Sequence, residues 1–152
     1  MPNSPHAHSL RLGRVSEPGR VYLITSTTEH RRPLFADVQL GRLVVAQLRR
    51  ADQDGLVSSL AWVLMPDHLH WLVELKHGSL DHPMKRVKAS SAVSINRATR
   101  RRGRVWQQGF HDRAMRYDDD LRKAARYIIA NPLRAGLVKR IGDYSLWDAV
   151  WL

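Results

Sequence analysis

The chain has 152 residues, 43% of them hydrophobic and none of them cysteine. That length supports one well-buried core rather than two comfortable domains, and the missing thiols exclude a disulfide framework and every thiolate zinc motif. Twenty-five Lys and Arg against fourteen Asp and Glu leave a formal charge of +11, which points to a polyanionic partner, nucleic acid being the commonest.

Residues 1–17 are polar and Pro-containing with no apolar run, so a flexible basic arm is expected there, with neither signal peptide nor membrane helix. A cytoplasmic location suits the lack of cysteine. After a Pro18-Gly19 turn, the alternation of Val21, Leu23 and Thr25 with Tyr22 and Ile24 predicts a first strand. Asp37 then caps a helix whose apolar residues Leu40, Leu43, Val44, Leu48 and Ala51 keep helical spacing to about Asp52. Leu56 to Met65 and His68 to Leu75 are apolar runs separated by Pro66-Asp67, which predicts an antiparallel hairpin.

Met84, Val87, Ser91, Ile95 and Ala98 mark the buried stripe of a second helix. Val105 to Met115 predicts a short, irregular strand, and Asp118, Asp119 and Asp120 open a third helix with buried Leu121, Ala125 and Ile128, ended by Asn131-Pro132. The order is strand, helix, strand, strand, helix, strand, helix. This is an α+β, ferredoxin-like split βαβ with a central antiparallel sheet and an additional C-terminal helix bearing Tyr127. The domain is expected over 18–132, with 133–152 a tail packed on it.

His68 and His70, one residue apart in a strand, point to the same side of the sheet and form half of a metal site. On the third helix, Tyr127 and Asn131 are four apart and share one border of the apolar stripe, a half-buried position. Asn131 could offer an amide oxygen to a cation held by the histidines, with Tyr127 one turn away. Glu74 shares their face but lies roughly 13 Å past His70 at strand rise, too far to join them. Solvated histidine pairs, Asn-Pro helix stops and rim tyrosines are all common, so each feature alone leaves a bland reading open.

Between His82 and His111 no acidic residue occurs, while Lys85, Arg86, Lys88, Arg97, Arg100, Arg101, Arg102 and Arg104 all fall there. One sign of charge without counter-charge suggests phosphate binding. Arg11, Arg14, Arg31, Arg32, Arg113 and Arg116 are further candidates, and Trp106 or a tail aromatic could stack an unpaired base.

His68-Leu69-His70 resembles the histidine-hydrophobic-histidine motif of single-strand DNA endonucleases. Arg126-Tyr127-Ile128-Ile129-Ala130-Asn131-Pro132, with Ala135-Gly136-Leu137-Val138, resembles the tyrosine helix of the REP-associated tyrosine transposases. Pro18-Gly19, Arg32-Pro33-Leu34-Phe35, Met65-Pro66-Asp67, Trp106-Gln107, Phe110, Asp112-Arg113 and Asp143-Tyr144 extend the similarity over almost the whole chain. Asp67 stands where the family usually has Asn, and Leu146-Trp147-Asp148 replaces a usual Trp-Ser-Ser. Neither departure is expected to touch an atom the chemistry uses.

The resemblance implies a bacterial, nucleoid-associated enzyme that cleaves and rejoins single-stranded DNA beside REP-like hairpins. Tyr127 would be its nucleophile, and His68, His70 and Asn131 would hold Mg²⁺ or Mn²⁺. It would need no nucleotide cofactor, and would act as monomer or homodimer. The competing expectation is a non-catalytic DNA- or RNA-binding regulator on the same fold, which would hold its ligand equally well without metal.

Overall fold

A computed structural model describes residues 16–116 and 120–151 of the chain. Arg11, Arg14, Tyr117, Asp118 and Asp119 lie outside the described residues, as does nearly all of the expected arm. The elements run β1 (Val21–Thr27), α1 (Val38–Gln53), β2 (Val57–Met65), β3 (His68–Leu75), α2 (Asp81–Thr99), β4 (His111–Ala114), α3 (Leu121–Ile129), α4 (Asn131–Arg134) and β5 (Trp147–Ala149). They form one five-stranded sheet in the order β4-β1-β3-β2-β5. Every pairing is antiparallel, so β1 and β2, joined through α1, run parallel with β3 between them. This is a split βαβ arrangement.

Side-chain alternation divides the sheet into two faces. Tyr22, Ile24, Leu64, Leu69, Trp71, Val73 and Leu75 point to α1 and α2 and make the larger core. Trp71 is fully buried and its indole N–H donates to Ser59 Oγ at 2.7 Å, which removes the cost of a stranded donor. Ala61, Val63, Met65 and Leu72 point the other way, and α3 covers them with Ala125, Ile128 and Ile129. Asp37 caps α1 by accepting from Gln39 N, and Asp120 caps α3 by accepting from Lys123 N, as the Asx residues lead one to expect.

The structure departs from the sequence expectations in four places. Ala98 is exposed, because the buried stripe of α2 ends at Ile95. The segment from Val105 to Met115 is strand only over β4, with Trp106 making a single bridge to Thr28. The tail contributes a strand: β5 pairs with β2 through Ala61, Trp62 and Val63. Finally, Asn131-Pro132 does not end the helical path but begins α4 after a break at Ala130, since a proline in the first turn loses no hydrogen bond that the turn would make.

Leu146 ties the tail to the core. Its side chain is buried against α1, where it closely approaches Gly41, and its carbonyl accepts from Leu64 N at 2.9 Å. Tyr144 donates its hydroxyl to Leu64 O beside it. Leu146→Ala should therefore lower unfolding stability by about 3 kcal/mol, a cost typical of a buried leucine. Urea denaturation measures this, and a loss below about 1 kcal/mol would show that the tail is not anchored there.

Candidate active site

The turn that delivers the histidines is braced from outside the hairpin. Phe35 N donates to Pro66 O at 3.0 Å, and Thr28 donates to Asp67 O from both its N–H (3.0 Å) and its hydroxyl (3.2 Å). β3 then carries His68 and His70 on the face opposite α1 and α2. In register, Thr27 and Met65 flank His68, while Thr25 and Val63 flank His70. The two rings lie edge to face with centroids 4.8 Å apart.

Each imidazole has one nitrogen engaged by the fold. His68 Nδ1 lies 2.7 Å from Asp67 Oδ1, and a carboxylate can only accept, so Nδ1 carries a hydrogen and Nε2 is the nitrogen the fold leaves unengaged. His70 Nδ1 lies 3.0 Å from Thr25 Oγ1, which leaves its Nε2 available as well. Burial, helped by the charges of His68 and Arg134, pulls the His70 pKa down to about 4, so its ring is neutral. Asp67 also accepts from Arg31 Nε at 3.0 Å. Burial pushes the Asp67 pKa up, but these two partners outweigh it and hold the carboxyl below its ordinary value. The Asp67 departure thus does touch the site: it orients a histidine, which the sequence reading did not expect.

The α3–α4 junction carries Tyr127 and Asn131. Pro132 has no N–H to give the carbonyl of Ile128, and Asn131 Nδ2 donates to that carbonyl at 2.9 Å instead. With its NH₂ engaged, the Asn131 amide keeps Oδ1 as a free acceptor. Arg134 Nη2 donates to the carbonyl of Tyr127 at 2.7 Å, and its guanidinium carbon stands 4.1 Å from the centre of the Tyr127 ring. Gly136, at φ +73°, closes α4 in a Schellman motif, with Gly136 N bonded to Leu133 O and Leu137 N to Pro132 O. Tyr127 is 66% exposed rather than half-buried, because within the unbroken α3 it lies on the side away from the buried stripe of Ala125, Ile128 and Ile129.

α3 and α4 both pack on β2, beside the strand that carries the histidines. Among the described residues no cluster of three His, Cys, Asp or Glu side chains exists. The Asn131 amide oxygen is a further donor that could serve a cation at the histidine pair. Two imidazole nitrogens and an amide oxygen form a donor set that suits a divalent ion in an open site.

The basic candidates separate by position. Arg31 and Arg32 follow β1 at the hairpin end of the sheet, and Arg32 Nη2 donates to Arg104 O at 2.9 Å, which brings Arg104 to the same end. Lys85, Arg86, Lys88 and Arg97 lie on α2, across the sheet from the histidines. Arg86 pairs with Asp54 at 2.6 Å. Lys88 donates to the carbonyls of Gln107 and Gly109, and burial, with a smaller effect from Arg104, brings its pKa to about 8. Arg100, at φ +57°, caps α2, with exposed Arg101 and Arg102 after it. Arg113 sits exposed on β4 opposite Leu23, and His111 opposite Thr25, so both share the histidine face. The face of His111 follows from strand register alone, which local sequence does not reveal. Trp106 is 3% exposed and donates to Ser91 Oγ at 3.0 Å, so it is a core residue and no platform for a base.

A family model described as transposase IS200 like matches residues 20–131. The chain belongs to the IS200-like transposase family. It is 26% identical over 132 residues to the REP-associated tyrosine transposase of Escherichia coli (strain K12), spanning 83% of this chain and 74% of that one. A REP-associated tyrosine transposase solved bound to a REP hairpin superposes with a TM-score of 0.73 at 24% identity, covering 88% of this chain and 79% of that one, a likeness of fold. The family match on this IS200-like transposase runs from the residue before β1 to Asn131, and so takes in both histidines and Tyr127.

The buried neutral His70 sets an acid limit on the transposase fold. An unfolded histidine near 6.5 binds protons that the folded one, near 4, refuses. The stability linked to His70 is therefore fully present above about pH 6.5 and is lost as pH falls from there toward 4. Urea midpoints measured across that window in EDTA should show the decline, and His70→Asn should flatten it. An unchanged slope in the variant would assign the acid sensitivity elsewhere.

Proposed function

We propose that this transposase is a metal-dependent endonuclease and strand transferase for single-stranded DNA beside hairpins, working through a covalent phosphotyrosine on Tyr127. One observation carries the reading. His68 Nε2, His70 Nε2 and Asn131 Oδ1 are all left available because the other polar atom of each side chain is engaged by the fold, and Tyr127 stands one turn before Asn131. Family membership supports DNA processing, and the REP hairpin in the similar structure supports a hairpin-bearing strand as substrate. The excess of eleven positive charges suits such a partner.

His68, His70 and Asn131 would hold Mg²⁺ or Mn²⁺. When bound, the ion supplies Lewis-acid polarisation of the scissile phosphate. The exposed Tyr127 hydroxyl reaches a strand laid on the surface and attacks phosphorus in line. An Oη–P bond forms as the P–O3′ bond breaks; the tyrosine proton passes to solvent and the departing oxygen is protonated to a 3′ hydroxyl. The product is still a phosphodiester, so a 3′ hydroxyl can reverse the step and join strands without a nucleotide cofactor. Asp67, anchored by Arg31, keeps His68 in the tautomer that presents Nε2.

Incubation of the chain with labelled single-stranded hairpins and Mn²⁺ should give a covalent adduct on denaturing gels. Tyr127→Phe should bind the hairpin normally and give none, whereas an adduct that persists would reject Tyr127 as nucleophile. EDTA should abolish the adduct; a chain that binds hairpins equally in EDTA and never forms an adduct is a binding protein instead. Asp67→Asn retains an acceptor but loses the charge that polarises His68, and should weaken Mn²⁺ binding about tenfold in titrations followed by electron paramagnetic resonance.

A further inference from the structure

We infer that Arg134 is a catalytic residue, the guanidinium that takes the non-bridging oxygens of the phosphate attacked by Tyr127. This rests on the assignment of Tyr127 as nucleophile. Two observations place it there. Its Nη2 donates to the Tyr127 carbonyl at 2.7 Å, and its Cζ stands 4.1 Å from the centre of the Tyr127 ring. One cation thus touches both the backbone and the ring of the nucleophile.

The electrostatics of the step call for such a group. As Tyr127 Oη bonds to phosphorus and the P–O3′ bond lengthens, negative charge grows on the two non-bridging oxygens before the 3′ oxygen gains its proton. A guanidinium keeps its own proton throughout and matches two such oxygens with parallel N–H groups, which an ammonium cannot do. Among the described hydrogen bonds, Arg134 uses one of its five N–H groups on backbone, and the residue is exposed, so the others can face a bound strand. The Schellman closure at Gly136 fixes the backbone beneath the side chain, and the bond to the Tyr127 carbonyl holds its guanidinium end, before DNA arrives. Donors set in advance where charge develops are the arrangement that lowers a barrier most.

The test is the single-turnover rate of adduct formation with a hairpin-bearing strand in Mn²⁺, beside hairpin affinity in EDTA. Arg134→Ala should slow the rate about 100- to 1000-fold and change affinity less than threefold, and added guanidinium ion should restore at least tenfold of the rate. Arg134→Lys, which keeps charge and stem, should fall between Arg134→Ala and the native chain. A rate within threefold of native in Arg134→Ala overturns the inference and leaves Tyr127 in place. So does a slow rate that guanidinium leaves unchanged and Arg134→Lys reproduces in full, since that marks a helix cap only. If Arg134→Ala does not fold, the Lys variant decides: a native rate overturns the inference, and a rate loss with native affinity that guanidinium partly relieves supports it. An adduct that survives Tyr127→Phe instead removes the nucleophile, and the role of Arg134 falls with it.

Discussion

A missing hydrogen organises the site. Pro132 cannot donate to Ile128, and the helical path that carries Tyr127 therefore breaks at Ala130 and restarts. The carbonyls exposed at the break are closed by side chains from the next turn, Asn131 for Ile128 and Arg134 for Tyr127. An uninterrupted helix would have bonded both carbonyls internally and left the amide and guanidinium without fixed orientation. Tyr127, just before the break, lies on the solvent side of α3 and is accessible although Ile128 and Ile129 beside it are buried.

The same economy operates on the sheet. A strand offers its side chains in a fixed row, and the row containing His70 runs from His111 through Thr25 to Val63 and Trp147. Thr25 holds one nitrogen of His70 and Asp67 one of His68, so both rings present the opposite nitrogen. A half-buried imidazole needs such partners; here the partners that make burial tolerable also fix which nitrogen of each ring is left unengaged.

Much of this was legible in the chain itself. The helix caps at Asp37 and Asp120, the hairpin around Pro66-Asp67 and the shared face of His68 and His70 follow from local rules, and each is observed. What local rules miss depends on distant partners. The exposure of Tyr127 was misread because the stripe was drawn from Leu121, Ala125 and Ile128 alone; Ile129 is buried as well, which moves the centre of the buried face away from Tyr127. Trp106 looked available because its burial depends on Phe35 and Ser91, far away in sequence. Asp67 looked neutral because its partners are a side chain from its own hairpin and Arg31, 36 residues earlier. β5 escaped because three residues are too few for a period and their pairing is decided by the open side of β2.

That short strand bears on how the molecule meets copies of itself. β2 is nine residues long and buried at Val57 and from Ala61 to Met65, and a bare flank of that length is a template for any other extended chain. The three residues of β5 occupy that flank, and on the far side the four residues of β4 cover β1. The sheet therefore ends on both sides in strands too brief to recruit another. Its sheet is thus guarded on both sides against pairing edge to edge.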